Sequence, residues 1–182
     1  MSDEITFEEF PKIARLNREC VISEKIDGTN AQIIISESGK IAAASRSRII
    51  TPKDDNFGFA AWVENNKPEL LKLGPGRHFG EWWGAGIQRR YGLAEKRFSL
   101  FNIDRWGKSC DRPGCCHVVP TLYQGLFTTD AVNAALEDLR VNGSHAALGF
   151  MKPEGVIIWH IAARVGFKVT LERDQEPKGK AL

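Results

Sequence analysis

Two apolar runs enclose one short charged stretch, and this arrangement limits the fold more than any other feature of the chain. Cys20-Val21-Ile22 precedes Ser23-Glu24-Lys25-Ile26-Asp27-Gly28-Thr29-Asn30, and Ile33-Ile34-Ile35 follows it. Runs this rich in β-branched residues read as strands, over 20–26 and 31–36, with a turn between them. Lys25 and Asp27 are two residues apart and so share one face of an extended strand. Gly28 lets the backbone turn or approach a ligand closely. A lysine at a strand end, desolvated and crowded by cations, is pushed towards its neutral, nucleophilic amine. Asp27 is spaced to orient that amine or to hold water on a metal. The same four residues also fit an exposed turn closing an ordinary hairpin, and alone they leave both readings open.

Most of the remaining chain reads as further strands. Ser38-Gly39 supports a hairpin into a strand over 40–45. Arg46 and Arg48 follow, at a spacing that puts them on one face of a strand. Two guanidiniums there suit an anionic ligand through forked pairs, or else decorate a solvated edge. Residues 57–72 read as helix, with Phe57, Phe59, Trp62, Val63, Leu70 and Leu71 as its buried set and Pro68 splitting it. After the turn Gly74-Pro75-Gly76, a strand covers 78–83. Glu81 lies in it beside Trp82 and Trp83, so its carboxylate is paired, functional or turned outward. The loop from Gly84 carries Arg89 and Arg90 and suits a polyanion backbone.

A strand is expected over 97–103, with Phe98, Leu100 and Asn102 on one face and Ser99, Phe101 and Ile103 on the other. An aromatic there packs in the core or stacks on a purine. Cys110, Cys115, Cys116 and His117 are metal-ligand types, but their spacing fits no standard zinc knuckle, which favours free thiols. A strand over 118–122 precedes the clearest helix. Thr129 or Asp130 caps it, Val132, Ala135, Leu136 and Leu139 form its apolar face, and it runs to about Val141 with Gly143 as the stop. Strands over 154–159 and 165–171 close the pattern. Glu154 leads into the first of them and Lys168 sits inside the second. At the front, Asp3 is a cap for a short helix carrying Phe7 and Phe10, limited by Pro11. From Glu172 onward the chain is charged, holds Pro177 and Gly179, and reads as loose.

A length of 182 residues fits one domain with a sizeable core, and 42% hydrophobic with 26% charged residues is the balance of a soluble globular protein. A net charge of +2 gives no bulk attraction to nucleic acid, which leaves a local basic face as the route to it. No apolar run approaches the ~20 residues that cross a bilayer. The acidic start Met1-Ser2-Asp3-Glu4 is not a signal peptide. The expectation is a cytoplasmic protein with reduced cysteines, no membrane partner and no implied protein partner.

Taken in order, Lys25-Ile26-Asp27-Gly28, Ser45-Arg46, Gly80-Glu81, Phe98-Ser99-Leu100-Phe101-Asn102, Glu154-Gly155-Val156 and Phe167-Lys168 resemble the motifs of the covalent nucleotidyltransferases. That superfamily includes DNA ligases, RNA ligases and mRNA capping enzymes. The resemblance is nearest to the phage RNA ligase 2 type of ATP-dependent RNA ligase. Glu24-Lys25 with Gly28-Thr29-Asn30 looks like its nucleophile motif, and Gly80-Glu81 with Gly84-Ala85-Gly86-Ile87-Gln88 looks like its second segment.

The resemblance implies an α+β adenylation domain of two antiparallel sheets flanked by helices, with the nucleotide pocket between them. Because the sequence ends shortly after the last motif, the expectation is a single domain over 1–182, without the additional C-terminal domain of larger ligases. The resemblance implies ATP as AMP donor, Mg2+ or Mn2+, and RNA ends, nicked or pre-aligned, as substrate. Lys25 would become lysyl-AMP, Arg46 would contact phosphates, and Glu81 would accept from the ribose hydroxyls. Phe101 would stack on adenine and Lys168 would bind the α-phosphate. Glu24, Ile26 and Asn30 would help form the nucleotide site. Asp27 and Glu154 would serve the metal, and Arg46, Arg48, Arg89 and Arg90 the nucleic acid. One departure stands out: the family's last motif usually has two alternate lysines, and here Thr170 replaces the second, with Arg164, Lys178 or Lys180 as candidates to compensate. A DNA nick ligase, a GTP-using capping transferase and a non-catalytic nucleotide or nucleic-acid binder are the alternatives.

Overall fold

The computed structural model describes residues 5–172 and 174–175. Ten strands make two sheets. The strands are β1 Glu19–Lys25, β2 Thr29–Ile35, β3 Ile41–Ser45, β4 Ile49–Ile50, β5 Gly76–Gly84, β6 Lys96–Leu100, β7 Cys116–Val118, β8 Thr121–Leu126, β9 Gly155–His160 and β10 Val165–Thr170. The smaller sheet has the order β10-β9-β1-β8, and the larger β4-β3-β2-β5-β6-β7. All pairs are antiparallel except β6 with β7, so the larger sheet is mixed at one edge rather than wholly antiparallel. The helices are α1 Phe59–Asn65, α2 Lys67–Leu70, α3 Ile103–Trp106 and α4 Thr129–Asn142.

Each sheet buries one face under helix. Ala31, Ile33, Trp82, Phe98 and Leu100 pack with Phe59, Ala60 and Val63 of α1 in the larger core. Cys20, Ile22, Val156 and Ile158 pack with Val132, Ala135, Leu136 and Leu139 of α4 in the second. The period-two pattern therefore leaves a second face on each sheet, and these two faces carry Lys25 and Lys168 on the smaller sheet and Asn30 and Glu81 on the larger. A third cluster of Ile26, Trp83, Tyr91, Val119 and Ala147 closes one end.

Several local expectations change. β1 and β2 do not form a hairpin: β1 pairs with β8 and β9, while β2 pairs with β3 and β5. The charged stretch is a crossing from one sheet to the other. Arg46-Ser47-Arg48 is a bend between β3 and β4, not a strand, so the two arginines share no strand face. The strand expected to reach 103 ends at Leu100, because Asn102 accepts from Arg105 N and caps α3. Thr128, rather than Thr129 or Asp130, caps α4 by accepting from Ala131 N. Pro120 breaks the strand expected over 118–122 into β7 and β8. Phe57 is exposed, and Trp62 and Leu71 are half-buried. Residues 5–15 form no helix, and Ile5, Phe7, Phe10 and Ile13 are exposed. The cap assigned to Asp3, and the compensating Lys178 and Lys180, lie outside the described residues. No helix among the described residues is long and apolar enough to cross a membrane.

Candidate active site

Lys25 ends β1 on the face turned away from α4. Its register partner on β9 is Gly155, whose own partner on β10 is Thr170. The next row of the same face is Ser23, Ile157 and Lys168. Lys25 and Lys168 therefore project from one face, one row apart, and Thr170 occupies the row of Lys25 itself. Gly155 separates the two at φ 152°, where a Cβ would lie 2.2 Å from Val169 O. Only glycine fits this position.

Lys25 Nζ donates to Glu154 Oε2 at 2.6 Å, with 18% of the lysine side chain and 3% of the glutamate exposed. The glutamate is carried at the start of β9 by two short-range devices: Leu171 N donates to its carbonyl at 2.9 Å, and its side chain reaches across to the end of β1. Glu24 points to the opposite face and is fully buried. Its carboxylate accepts from Ser144 Oγ at 2.6 Å and from His145 N and Ala146 N at 2.9 Å each. Burial pushes its pKa up, against the pull of those hydrogen bonds. Glu24 thus ties β1 to the segment after α4.

The crossing itself is held from the larger sheet. Gly28 N donates to Glu81 Oε1 at 3.0 Å, and Asn30 Nδ2 to Glu81 Oε2 at 3.1 Å. A Cβ on Gly28 would fall 2.5 Å from Trp82 O and 2.7 Å from Trp83 Cβ, so glycine is needed here for close approach rather than for an unusual φ. Asp27 N donates to the buried Tyr91 hydroxyl at 2.7 Å. Asp27 Oδ2 accepts from Arg89 Nε at 3.0 Å, and Arg89 also donates to Lys152 O. Ile26 is buried against Trp83 and Tyr91.

Glu81 is neither outward-facing nor free. Desolvation raises its pKa to about 7; the Lys25 charge and the Gly28 hydrogen bond oppose this, while Glu154 and Asp27 add to it. Three carboxylates, Asp27, Glu81 and Glu154, therefore lie within one another's field around one amine. Glu81, Asn30 and Ser99 form one row of the larger sheet. Phe101 comes next on that face, its N–H bonded to Phe79 O at 3.0 Å, and both aromatic rings are exposed. An exposed Phe101 beyond a strand end is available for stacking and is not core.

The arginines divide into two pairs. Arg48 is forked onto Asp54, with Nη2 to Oδ1 at 3.0 Å, and Arg89 is turned inward onto Asp27. Arg46 and Arg90 are exposed. The four cysteines are free thiols, Cys20 and Cys116 buried and Cys110 exposed. Among the described residues no group of three or more His, Cys, Asp and Glu converges as a ligand set. Asp27 and Glu154 are nevertheless oxygen donors of the kind magnesium takes, since that ion binds through one or two carboxylates and keeps several waters. The roles of Tyr91, Ser144 and Phe79 were not foreseen. Nothing local marks Tyr91, whereas Phe79 could be found from its even spacing with Glu81.

The architecture has solved counterparts. A mutant of Naegleria gruberi RNA ligase with ATP and manganese superposes with a TM-score of 0.64 at 19% identity, covering 86% of this chain and 51% of that one. Another mutant of the same ligase, with AMP and manganese, gives 0.61 at 18% identity over 85% and 50%. An archaeal ATP-dependent RNA ligase gives 0.55 at 18% identity over 90% and 48%. The chain thus spans about half the length of these structures. A family-model comparison matches residues 18–171 to the family described as RNA ligase, which covers every motif from Lys25 to Lys168. By that match this chain belongs to the RNA ligase family.

Proposed function

We propose that the chain is the adenylation domain of an ATP-dependent RNA ligase. One observation carries the reading: Lys25, Glu154 and Glu81 converge where the chain crosses between sheets, with Lys168 one row away on the face of Lys25. Binding alone needs no nucleophile positioned in this way.

In the first step Lys25 Nζ attacks the α-phosphorus of ATP. An N–P bond forms, the bond to the bridging oxygen breaks, and pyrophosphate leaves. Glu154 Oε2, at 2.6 Å, is the acceptor for the proton the amine must lose. Lys168 supplies positive charge to the equatorial oxygens of the transferring group. Phe101 stacks on adenine, with Ile26 and Asn30 beside the nucleotide and Glu81 accepting from the ribose. Glu24 acts through the segment it anchors. Asp27 and Glu154 would hold Mg2+ or Mn2+, which when bound supplies charge to the phosphate oxygens. In the second step an oxygen of an RNA 5′-phosphate displaces Nζ, which regains its proton, and AMP moves to the RNA. In the third a 3′-hydroxyl attacks that 5′-phosphate: the new O–P bond forms, the P–O bond to AMP breaks, and the hydroxyl proton leaves with AMP or to solvent.

Arg46 and Arg90 make phosphate contacts, which position the RNA without reading its sequence. Arg48 and Arg89 support them through their pairs with Asp54 and Asp27. The test compares sealing of a nicked duplex with RNA on both sides of the nick, the same nick in DNA, and free single-stranded RNA. The RNA nick should be sealed best, with activity falling steeply as salt rises. Equal or better sealing of the DNA nick would replace the RNA-ligase reading with a DNA-ligase one.

A further inference from the structure

The face that carries Lys25 does not end at Lys168. Its third row is Val21, Trp159 and Gly166. Trp159 is 46% exposed, an unusual state for the largest side chain on a central strand. A Cβ built on Gly166 would lie 3.6 Å from Trp159 Cε3 and 4.0 Å from Cζ3, so the indole rests beside a β10 position that has no side chain to cover it. Among the described residues no aromatic ring or cation stacks on it. Lys168 stands one row nearer the site. Arg164, exposed and at φ 52°, stands one row further out in the turn between β9 and β10. An open aromatic face between two cations, continuous with the nucleophile's face, suits a nucleobase with a phosphate on either side.

We propose that Trp159 is a stacking platform for an unpaired base of the RNA strand leading away from the reacting end, with Arg164 holding its backbone. This rests on the ligase reading above. Four residues of strand at ~3.3 Å each put Trp159 about 13 Å along the sheet from the row of Lys25. Stacking reads no sequence, because every base presents a π-face, so the contact adds affinity and register without selecting a base. An apolar protein surface is the competing occupant of an exposed tryptophan.

The test is RNA binding measured by fluorescence anisotropy, which needs no catalysis. It uses 5′-phosphorylated single-stranded RNA in which one nucleotide at a time, counted from the end, is made abasic. Wild type should lose roughly 10- to 100-fold in affinity when one or two neighbouring positions are abasic. Trp159→Ala should show that loss with intact RNA and no further loss at those positions. Trp159→Phe should keep most of the affinity and the abasic signature, which excludes misfolding as the cause. Unchanged binding in Trp159→Ala, or an abasic profile identical to wild type, would overturn the platform. Failure of the ligase reading would show separately, as wild-type protein that binds RNA but forms no lysyl-AMP.

Discussion

Glu81 shows how a single side chain links the site to stability. Its pKa is about 7 in the fold, against an ordinary 4.5. Between those values the folded chain holds a proton that the unfolded chain has released. Folding stability therefore falls as pH rises from about 4.5 to about 7, by up to roughly 3 kcal/mol from this group. Glu24, also raised by burial, tilts stability in the same direction. Glu81→Gln should flatten the fall in Tm between pH 5 and pH 8, and parallel profiles for the two proteins would refute the assignment. Gly28 is constrained sterically. Gly28→Ala would drive a methyl into Trp82 O and Trp83 Cβ, both backbone or near-backbone atoms that cannot swing aside. A cost of about 1–3 kcal/mol is expected, read as a lower Tm, together with reduced activity because the same movement displaces the Glu81 contact.

Among the elements, β10 concentrates the most consequence in the fewest residues. Its register sets Thr170 in the row of Lys25 and Lys168 one row away. Thr170 N and Oγ1 are both bonded to Asp174 Oδ1, so the position where the resemblance leads one to expect a second lysine ties down the end of the strand. On the proposed function, Lys168 would then carry the phosphate charge of the last strand. Lys168→Ala should lower the rate of lysyl-AMP formation at least ~100-fold, by analogy with removal of one transition-state donor. A mild loss would mean that another cation supplies that charge; Arg164 is not the candidate, because the register puts it in the turn three rows from Lys25. The strands themselves were readable because β-branched runs and period-two patterns are local signals. Their partners were not. β1 and β2 look like a hairpin because they are adjacent and apolar, yet β1 pairs with residues up to 140 positions away, as Cys20 does with His160, where no local pattern reports them. Arg46-Ser47-Arg48 differs for another reason: spacing two suggests a strand, while a bend and the fork of Arg48 onto Asp54, six residues on, decide its shape.

At the scale of the whole molecule, two sheets each bury a helix-covered face and turn the other towards the crossing at Lys25. The ordered motifs named side chains that the fold brings together, Lys25, Glu81, Glu154 and Lys168. They did not reveal what holds those side chains: Tyr91 on Asp27 N, Arg89 on Asp27, and Ser144 with two amides on Glu24. These supports come from loops whose sequences carry no periodic signal and acquire meaning only when tertiary structure brings them together. The central claim is that all this scaffolding serves one nucleophile. The most direct measurement is peptide mass spectrometry after incubation with ATP and magnesium, followed by denaturation. The account predicts AMP on Lys25 in wild type and none anywhere in Lys25→Arg, whose guanidinium stays protonated. AMP on Lys168 with Lys25 unmodified, or labelling by GTP in preference to ATP, would contradict it.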